Sequence, residues 1–412
     1  MTSSATPSDA LAAGTVEHLR ALVRIDTSNP PGNETLAARY VAQVLREAGV
    51  GADVIEPAPG RGSVVARLRA RVASPEPALL LHAHLDVVAA RAADGWTHPP
   101  FGADLADGCV WGRGTLDHKA SVAMNLSALL ALMHASGRLR RDVIFAATAD
   151  EEQGGFVGAG WLVEHRPALL DATYCIGEGG GYNLYLSNRR AYPCSIAEKG
   201  SCRLRLRARG PAGHGAMPLP ENAILVLAEA LRAVAEPLPF HHVGAVDEFL
   251  SGLAHLAGGA QGNFLAGLGH SGRGSRLLTR MARGANPTLR ALARQINPLL
   301  RNTVSPTQLQ AGIANNVIPA EATATLDGRF LPGQSPESFV AELRGALGAQ
   351  LTRLVDIEVD HSLPAVEMPW PSPLAETIVA VMARQDPGAP VLPFMLAAVT
   401  DAKHLTRLPS LR

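Results

Sequence analysis

The segment LLLHAHLDVV, residues 79–88, determines how the rest of the chain is interpreted. Its apolar run predicts a buried strand, and this strand leads directly into His84 and Asp86. A metal-binding imidazole usually has its second ring nitrogen held by a carboxylate or carbonyl group, and Asp86 could do this for His84. His82 lies two residues earlier on the same face of the strand and is a competing ligand. A structural role is the simpler interpretation of an isolated histidine, so the interpretation of His84 as a metal ligand depends on other segments of the chain.

Two later segments repeat the arrangement of an apolar run followed by carboxylates. DVIFAATADEE (142–152) ends in Glu151 and Glu152, and ATYCIGEGGG (172–181) has Glu178 just after its apolar run. An adjacent glutamate pair is ordinarily a surface feature, but this one follows a strand that reads as buried and precedes glycines. In open α/β sheets, ligands bind outside the carboxyl ends of the strands. These side chains are therefore expected to meet at one edge of a sheet and to form a metal site.

Asp117 follows a glycine-containing loop, WGRGTLDHK (111–119), at the start of a predicted helix. One interpretation is a helix N-cap, for which aspartate is a preferred residue. The other is a carboxylate that bridges two ions, with one oxygen to each. Carboxylates that outnumber imidazoles favour more than one divalent ion. Of the glutamate pair, one residue could bind a metal while its neighbour, with a raised pKa, accepts a proton from activated water.

Strands and helices alternate in the first part of the chain, which predicts an α/β domain with a mostly parallel sheet flanked by helices. We expect helices at 9–24, 34–48, 119–136 and 157–165, and strands at 62–69, 78–83, 142–149 and 172–177. Near residue 195 the pattern changes to an alternation of polar and apolar residues, which predicts half-exposed strands. A smaller α+β unit is therefore expected to be inserted, with strands at 201–209, 321–330 and 355–359 and helices at 222–234 and 337–351.

The predicted domain organisation has three parts: 1–194, the inserted unit at 195–362, and a return to the first domain at 363–412. An arginine-rich insertion lies at about 249–310. Residues 249–320 contain no Asp or Glu but seven arginines, from Arg273 to Arg301. A solvated helical insertion is one interpretation, and a docking surface for an acidic partner or a carboxylate substrate is the other.

The composition excludes several classes of protein. The chain has 412 residues, 47% of them hydrophobic, and a formal net charge of +0, which gives no reason to expect nucleic acid or an anionic membrane as partner. No apolar run reaches the ~18 residues of a transmembrane helix, and the N-terminus does not read as a secretory signal. The four cysteines have no C-x-x-C spacing, so we expect reduced thiols and a cytoplasmic location.

Several segments together resemble one enzyme family. The matching segments are LLLHAHLDVV (79–88), WTHPPFGADLADGCVWGRGTLDHKA (96–120), ATADEEQGG (147–155), GEGGG (177–181), GPAGHGAMP (210–218) and ANNVIPAEATATLDGRFLPG (314–333). They resemble the co-catalytic zinc metallopeptidases, which include aminoacylase, glutamate carboxypeptidase, acetylornithine deacetylase and succinyl-diaminopimelate desuccinylase. GEGGG and the long insertion look most like the carboxypeptidase-S-like branch. The resemblance implies a zinc-peptidase-like catalytic domain with an inserted lid and dimerisation domain, and a homodimer.

The resemblance also implies a set of metal ligands. His84 and Glu178 would bind one ion, Glu152 would bind the second, and Asp117 would bridge both. Two divalent metal ions are implied; zinc is expected, with cobalt or manganese as alternatives.

Roles in catalysis and substrate binding are implied as well. Glu151 would be the general base and then the general acid, and Asp86 would orient His84. From the lid, His214 would stabilise the oxyanion, and Asn316 and Arg329 would grip the substrate, Arg329 through its carboxylate. His214 could instead be a turn residue between two glycines, and Arg329 a structural partner of Asp327.

The resemblance implies one further histidine ligand and a closing helix beyond Thr400-Asp401-Ala402. The sequence ends at Arg412, before that histidine, so the second part of the catalytic domain and the ion held by Glu152 are expected to be incomplete. His404 matches a helix-facing position of the family and not a ligand, and His361 is only a remote substitute.

These observations lead to two main hypotheses. The first is an enzyme, a metallopeptidase or amidohydrolase that hydrolyses an amide bond next to a free carboxylate, in a dipeptide, a C-terminal residue or an N-acyl amino acid. A zinc-bound water would attack, with Glu151 as the base. The alternative is a catalytically impaired or truncated paralogue that folds, dimerises and binds carboxylate ligands without turnover. A third possibility, an arginine-rich nucleic-acid binder, has no interleaved aromatic residues to support it.

Overall fold

The computed structural model describes residues 7–72, 76–134, 139–186, 188–269 and 272–412. The chain forms two compact units: Met1–Glu178 with Thr400–Arg412, and Gly179–Val399. The limits predicted from the sequence, after residues 194 and 362, both fall inside the second unit. They do so because the strands at Arg189–Glu198 and Val391–Leu396 pair with each other and belong to one sheet.

The first unit contains a mixed five-stranded sheet, ordered β1-β2-β6-β3-β7. Neighbours β6, β3 and β7 run parallel, whereas β1 and β2 join antiparallel at one side. The strands are β1 (Ala52–Ile55), β2 (Ser63–Leu68), β3 (Glu76–His84), β4 (Asp104–Ala106), β5 (Cys109–Trp111), β6 (Arg141–Thr148) and β7 (Tyr174–Ile176), of which β4 and β5 form a separate pair. The helices are α1 (Pro7–Val23), α2 (Glu34–Glu47), α3 (Lys119–His134) and α4 (Ala159–His165).

Both faces of this sheet are covered, which explains why β3 and β6 read as continuous apolar runs. On one face, α1, α2 and α3 contribute Leu22, Val41 and Leu126 to a cluster that includes Phe145 of β6. On the other face, Leu162 of α4 lies in a cluster with alternate residues of the same strands. Burial of a side chain such as Phe145 contributes about 1.5–3 kcal/mol.

The second unit contains the predicted α+β pattern. Its four-stranded antiparallel sheet has the order β12-β14-β10-β15. The strands of this unit are β8 (Leu184–Leu186), β9 (Arg189–Glu198), β10 (Gly200–Arg209), β11 (Gly213–His214), β12 (Thr303–Ala311), β13 (Val317–Ile318), β14 (Glu321–Phe330), β15 (Val355–Leu363), β16 (Val366–Glu367) and β17 (Val391–Leu396). Its helices are α5 (Ala223–Val234), α6 (Gly244–Ala257), α7 (Gly259–Gly269), α8 (Gly272–Arg283), α9 (Pro287–Leu300), α10 (Pro336–Leu351) and α11 (Pro373–Gln385).

Two hydrophobic clusters support this unit. The apolar residues of β10 and β14 alternate with polar ones, and they pack with α5 and α10 in one cluster. The second cluster joins β9 and β17 to the helices α6–α9. The helices α6–α9 contain most of the arginine-rich segment, as the interpretation of a helical insertion expects, and the end of the segment belongs to β12. In α8, Leu278 and Met281 are buried while Arg280 and Arg283 are exposed.

The chain returns to the first unit in a short helix, α12 (Ala402–Leu405). Its residue Leu405, together with Leu408, packs on the same face of the first sheet as α4. No helix among the described residues is both long and apolar enough to cross a membrane. The expected α/β fold with a smaller α+β part is confirmed; the predicted helix at 119–136 is observed to His134, and its last two residues lie outside the described ranges.

Candidate metal and catalytic site

The predicted side chains gather where three strands of the first sheet end. β3 ends at His84, which pairs in parallel register with Thr148, the last residue of β6. β7 lies on the other side of β3 and ends at Ile176, two residues before Glu178. The carboxyl ends of parallel strands share one edge of a sheet, so these residues are brought together as expected.

His84 is almost fully buried and is held at both ring nitrogens. Its Nδ1 lies 3.0 Å from the backbone oxygen of Asp86 and 3.4 Å from Asp86 Oδ1. Its Nε2 lies 2.9 Å from Asp117 Oδ1 and 3.9 Å from Glu178 Oε2. Burial acts to lower the pKa of His84, but the hydrogen bonds to Asp117 and Asp86 raise it well above its usual value. Because oxygens of Asp86 hold Nδ1, the other nitrogen is directed at the carboxylates.

Asp86 does more than the predicted orientation of His84. It is fully buried, and its Oδ1 accepts a hydrogen bond from the backbone N–H of Glu151 at 3.0 Å. Its Oδ2 accepts one from the backbone N–H of Glu152, also at 3.0 Å. One carboxylate thus connects the imidazole at the end of β3 to the segment Asp150–Gln153 that follows β6, called the glutamate turn below.

Two overlapping groups of potential ligands lie around His84. One is His84, Asp117 and Glu152, and the other is His84, His118 and Glu178; within each, the ligand atoms all lie within 4.8 Å of one another. An imidazole nitrogen with carboxylate oxygens is a donor set that suits zinc, and the donor atoms are close enough to share an ion after small side-chain rotations. The residues present therefore fit a divalent metal.

His118 was not predicted from the sequence. Its ring stacks on that of His84 with 5.2 Å between centroids, and its Nε2 lies 2.7 Å from Ser121 Oγ. Burial and the nearby His84 lower its pKa to about 3, so it is uncharged at neutral pH. Its position directly after Asp117 was the only signal in the sequence.

The glutamate turn has the electrostatics expected of a proton acceptor next to a ligand. Burial, together with the charge of Asp401, raises the pKa of Glu151 to about 8, and Lys403 Nζ lies 3.7 Å from its Oε1. Burial and the charge of Asp117 raise the pKa of Glu152 to about 7. A carboxyl group whose pKa is raised towards neutral pH is suited to act as a general base.

The competing histidines are engaged elsewhere. His82 Nε2 lies 2.9 Å from Thr148 Oγ1 and 3.3 Å from Asp401 Oδ2. His404 Nε2 lies 2.7 Å from the backbone oxygen of Gly154. His361 belongs to β15 of the second unit.

The three candidate lid residues all lie in the second unit. His214 is exposed, and its Nδ1 accepts a hydrogen bond from the backbone N–H of Ala216 at 3.1 Å, which leaves Nε2 to carry the proton of the neutral ring. Asn316 is exposed in the turn before β13. Arg329 donates hydrogen bonds from Nε and Nη2 to the two carboxylate oxygens of Asp327, at 2.8 and 3.2 Å, as the structural alternative predicts.

Comparison with known proteins places the chain in a family. Residues 80–411 match Peptidase family M20/M25/M40. The chain is 30% identical over 343 residues to N-fatty-acyl-amino acid synthase/hydrolase PM20D1.1 of Danio rerio, covering 81% of this chain and 64% of that protein. It is 27% identical over 339 residues to Probable carboxypeptidase S-like 2 of Dictyostelium discoideum, covering 80% of this chain and 62% of that protein. It thus spans less than two thirds of the length of these relatives.

The fold is shared with a solved structure, the M20 family metallo-carboxypeptidase Sso-CP2 from Sulfolobus solfataricus. The TM-score is 0.69 at 18% identity, over 96% of this chain and 89% of the other. The family match extends over most of the sequence, and it includes every residue of the proposed metal groups. The resemblance found in the sequence is therefore confirmed, and the chain belongs to Peptidase family M20/M25/M40, a family of metallopeptidases and amidohydrolases.

Proposed function

We propose that this chain hydrolyses an amide bond next to a free carboxylate, in a dipeptide, a C-terminal residue or an N-acyl amino acid. The observation that carries the proposal is the glutamate turn, whose backbone is held by Asp86 next to the ligand groups of His84. This arrangement brings a buried carboxyl group with a raised pKa to a site that fits divalent ions. Metal-assisted hydrolysis with a general base uses both features.

We propose two divalent ions, zinc in the first instance, with cobalt or manganese as alternatives. His84 and Glu178 would hold one ion, Glu152 the other, and Asp117 would lie between them. Bound ions would supply Lewis-acid polarisation of the carbonyl and activation of water. In support, the two ligand groups of the described residues overlap at His84 and contain all four side chains.

Glu151 would accept the proton of the attacking water and pass it to the leaving amine. Its pKa of about 8 favours both steps, because the group can gain and lose a proton near neutral pH. Asp86 would hold His84 and the glutamate turn in fixed positions relative to each other. The Lys403 ammonium, 3.7 Å from Glu151, would stabilise the carboxylate form.

His214, Asn316 and Arg329 are proposed to act on the substrate from the second unit. With its proton on Nε2, the His214 ring would donate a hydrogen bond to the oxyanion of the tetrahedral intermediate. Stabilisation of this oxyanion is a large contribution to the rate of amide hydrolysis. Arg329 would bind the substrate carboxylate, exchanging its pair with Asp327 for the ligand.

We also propose residues 195–362 as the lid and dimerisation part of a homodimer. Four free cysteines are compatible with the reducing cytoplasm.

The experiment is to measure metal content and hydrolysis on the same dialysed sample, with a panel of dipeptides and N-acyl amino acids. We expect about two ions per chain and turnover of at least one substrate. Glu151→Gln should keep the ions and lose turnover. Retained turnover in this variant would contradict the role of Glu151.

A second candidate is a protein that binds carboxylate ligands without hydrolysis. The observation in its favour is that the ligand group containing Glu152 has no imidazole other than that of His84 among the described residues. One ion or none, with ligand binding by calorimetry and no turnover, would support this candidate over the first.

A further inference from the structure

A hydrogen-bonded network of mostly buried side chains contacts Asp150, the residue before Glu151, and it takes no direct part in the proposed chemistry. Its central member is Arg61, whose Nε and Nη2 donate to the two carboxylate oxygens of Glu34 at 2.9 and 2.8 Å. Nη2 also donates to Asp150 Oδ1 at 2.8 Å. The guanidinium therefore binds two carboxylates at once, a task that the planar fork of arginine performs and lysine does not.

The network reaches both ends of the turn. The Nδ2 of Asn29 donates to Asp86 Oδ2 at 2.8 Å and to Asp150 Oδ1 at 3.3 Å, so this amide connects the two aspartates. Asp150 Oδ2 accepts from the backbone N–H of Val157, seven residues further along, at 3.1 Å. The backbone N–H of Asp150 itself donates to Glu34 Oε1 at 3.3 Å. The segment that carries Glu151 and Glu152 is thus tied down before, within and after the pair.

The chain leaves space for this arrangement. Gly32 has a positive φ of 84°, and a Cβ atom at this position would lie 2.4 Å from Arg61 Nε and 2.9 Å from Glu34 Oε2. Any side chain there would push the guanidinium away from its partners. The Asn29-Pro30-Pro31-Gly32 segment, which lies between α1 and α2, is therefore part of the support for the site.

Charge and backbone conformation indicate what the network does. The side chains of Glu34 and Asp150 are only 0% and 8% exposed, and Arg61 is the cation that pairs with both. Asp150 adopts a left-handed conformation with φ 75°, which is uncommon for a residue other than glycine and persists only where the surroundings hold it. Without Arg61, two buried carboxylates would repel each other and this conformation would relax.

We propose that Arg61, with Asn29 and Asp150, is a positioning network that sets the direction of Glu151 and Glu152 towards the metal groups. This inference rests on the proposed function for its catalytic part. Its consequence for metal binding can be measured independently of turnover, because Glu152 is a proposed ligand on the same turn.

The test compares Arg61→Met with Arg67→Met. Arg67 is a matched control because its Nη1 lies 3.2 Å from Asp142 Oδ2, at the start of β6, whereas Arg61 pairs with Asp150 just after its end. The two side chains are similarly buried: 21% of Arg67 and 15% of Arg61 is exposed. Arg61→Met should lower kcat by about 10- to 100-fold, and the zinc affinity of the apoprotein by a similar factor, as loss of an outer-shell partner does. Arg67→Met should lower only the melting temperature.

Three further variants separate positioning from general stability. Arg61→Lys keeps the charge but not the fork, and should recover part of the loss in kcat with little change in KM. In the cycle of Arg61→Met with Asp150→Asn, the double variant should lose little more kcat than either single one, because both act through the same contact.

Equal effects of Arg61→Met and Arg67→Met on kcat and zinc affinity would overturn the proposal. If the wild-type chain binds zinc without hydrolysing any substrate, the proposed function fails. The zinc affinities of the two variants then still decide whether Arg61 positions the turn.

Discussion

Asp86 shows how much a single side chain can contribute to a site. From the sequence it was expected to orient His84 alone, and in the structure it also accepts the N–H groups of Glu151 and Glu152 and the amide of Asn29. These additional partners are backbone and amide groups. A sequence pattern contains no information about which backbone N–H will point at a given carboxylate, so this role follows only from the fold.

Replacement of Asp86 by Asn should therefore disturb stability and chemistry together. An amide offers one oxygen in place of two, so one of the two turn N–H groups loses its acceptor, at about 1–3 kcal/mol. Turnover should fall by about 10- to 100-fold through the displaced turn and His84. The measurement is urea unfolding together with kcat. Asp142→Asn, which removes a buried carboxylate bonded to Ala70 N–H, should reproduce only the stability loss.

Lys199 gives a prediction for the pH dependence of stability. Burial, with the nearby charge of Arg329, lowers its pKa from 10.5 to about 7, although its Nζ donates to the backbone oxygen of Arg301 at 2.8 Å. Between these two pH values the unfolded chain holds a proton that the folded chain lacks, so stability rises with pH across this window. Below about pH 7 the penalty for the buried charge is fully present.

Lys199→Met should remove this slope. The wild-type protein should gain up to about 1.4 kcal/mol of unfolding free energy per pH unit relative to the variant over the middle of the window. Denaturant unfolding at a series of pH values from 7 to 10.5 measures it. A difference between the two proteins that does not vary with pH would show that Lys199 keeps its charge in the fold.

At the scale of elements, the connection from β6 to α4 shapes the site. The chain leaves β6 at Thr148, passes through the glutamate turn and enters α4 at Ala159. Gly158 lies so close to Ala149, the residue directly after β6, that a Cβ atom at position 158 would be 1.7 Å from the backbone oxygen of Ala149. The start of α4 can approach the end of β6 this closely only because residue 158 is a glycine and has no Cβ atom.

Gly158→Ala is therefore expected to destabilise the first unit by on the order of 1–3 kcal/mol, because backbone atoms must shift to admit the methyl group. Zinc affinity should fall as well, since the shift acts on the turn that carries Glu152. Gly51→Ala is the control, because no atom of the described part of the chain lies within 4 Å of its new Cβ. Melting curves with and without zinc measure both effects, and equal melting temperatures for the two variants would contradict the steric argument.

The elements differ in how well the sequence predicts them. β3 and β6 are long apolar runs with both faces buried, and their predicted and observed limits agree within two residues. β9 and β17 were missed, and each contains a proline inside the strand, Pro193 and Pro393, at adjacent positions of their parallel pairing. Proline within a run normally argues against a strand. Here the pairing between distant segments outweighs the local preference.

At the scale of the whole molecule, the two units have separate cores. The clusters around β10 and β9 consist entirely of residues between 191 and 395, within the second unit. The groups that surround His84 lie entirely in the first unit. The metal site thus belongs to the first unit, and the second unit has a hydrophobic core of its own.

Residues 179–399 expressed alone should accordingly fold, because their two hydrophobic clusters are complete without the rest of the chain. We expect a cooperative thermal transition by circular dichroism and a midpoint that zinc leaves unchanged. The intact chain, by contrast, should be stabilised by zinc. Non-cooperative melting of the fragment would mean that its core depends on the first unit.

The sequence by itself determined the family, the α/β class and the order of the candidate ligands from His84 to Glu178. These depend on local patterns, an apolar run followed by a polar residue, which a chain carries whether or not it is folded. Only the tertiary structure decided that His118 joins the ligand group, that His82 turns to Thr148 and Asp401, and that Arg61 supports the turn. Such contacts join residues far apart in the chain, and strand pairing and burial bring them together.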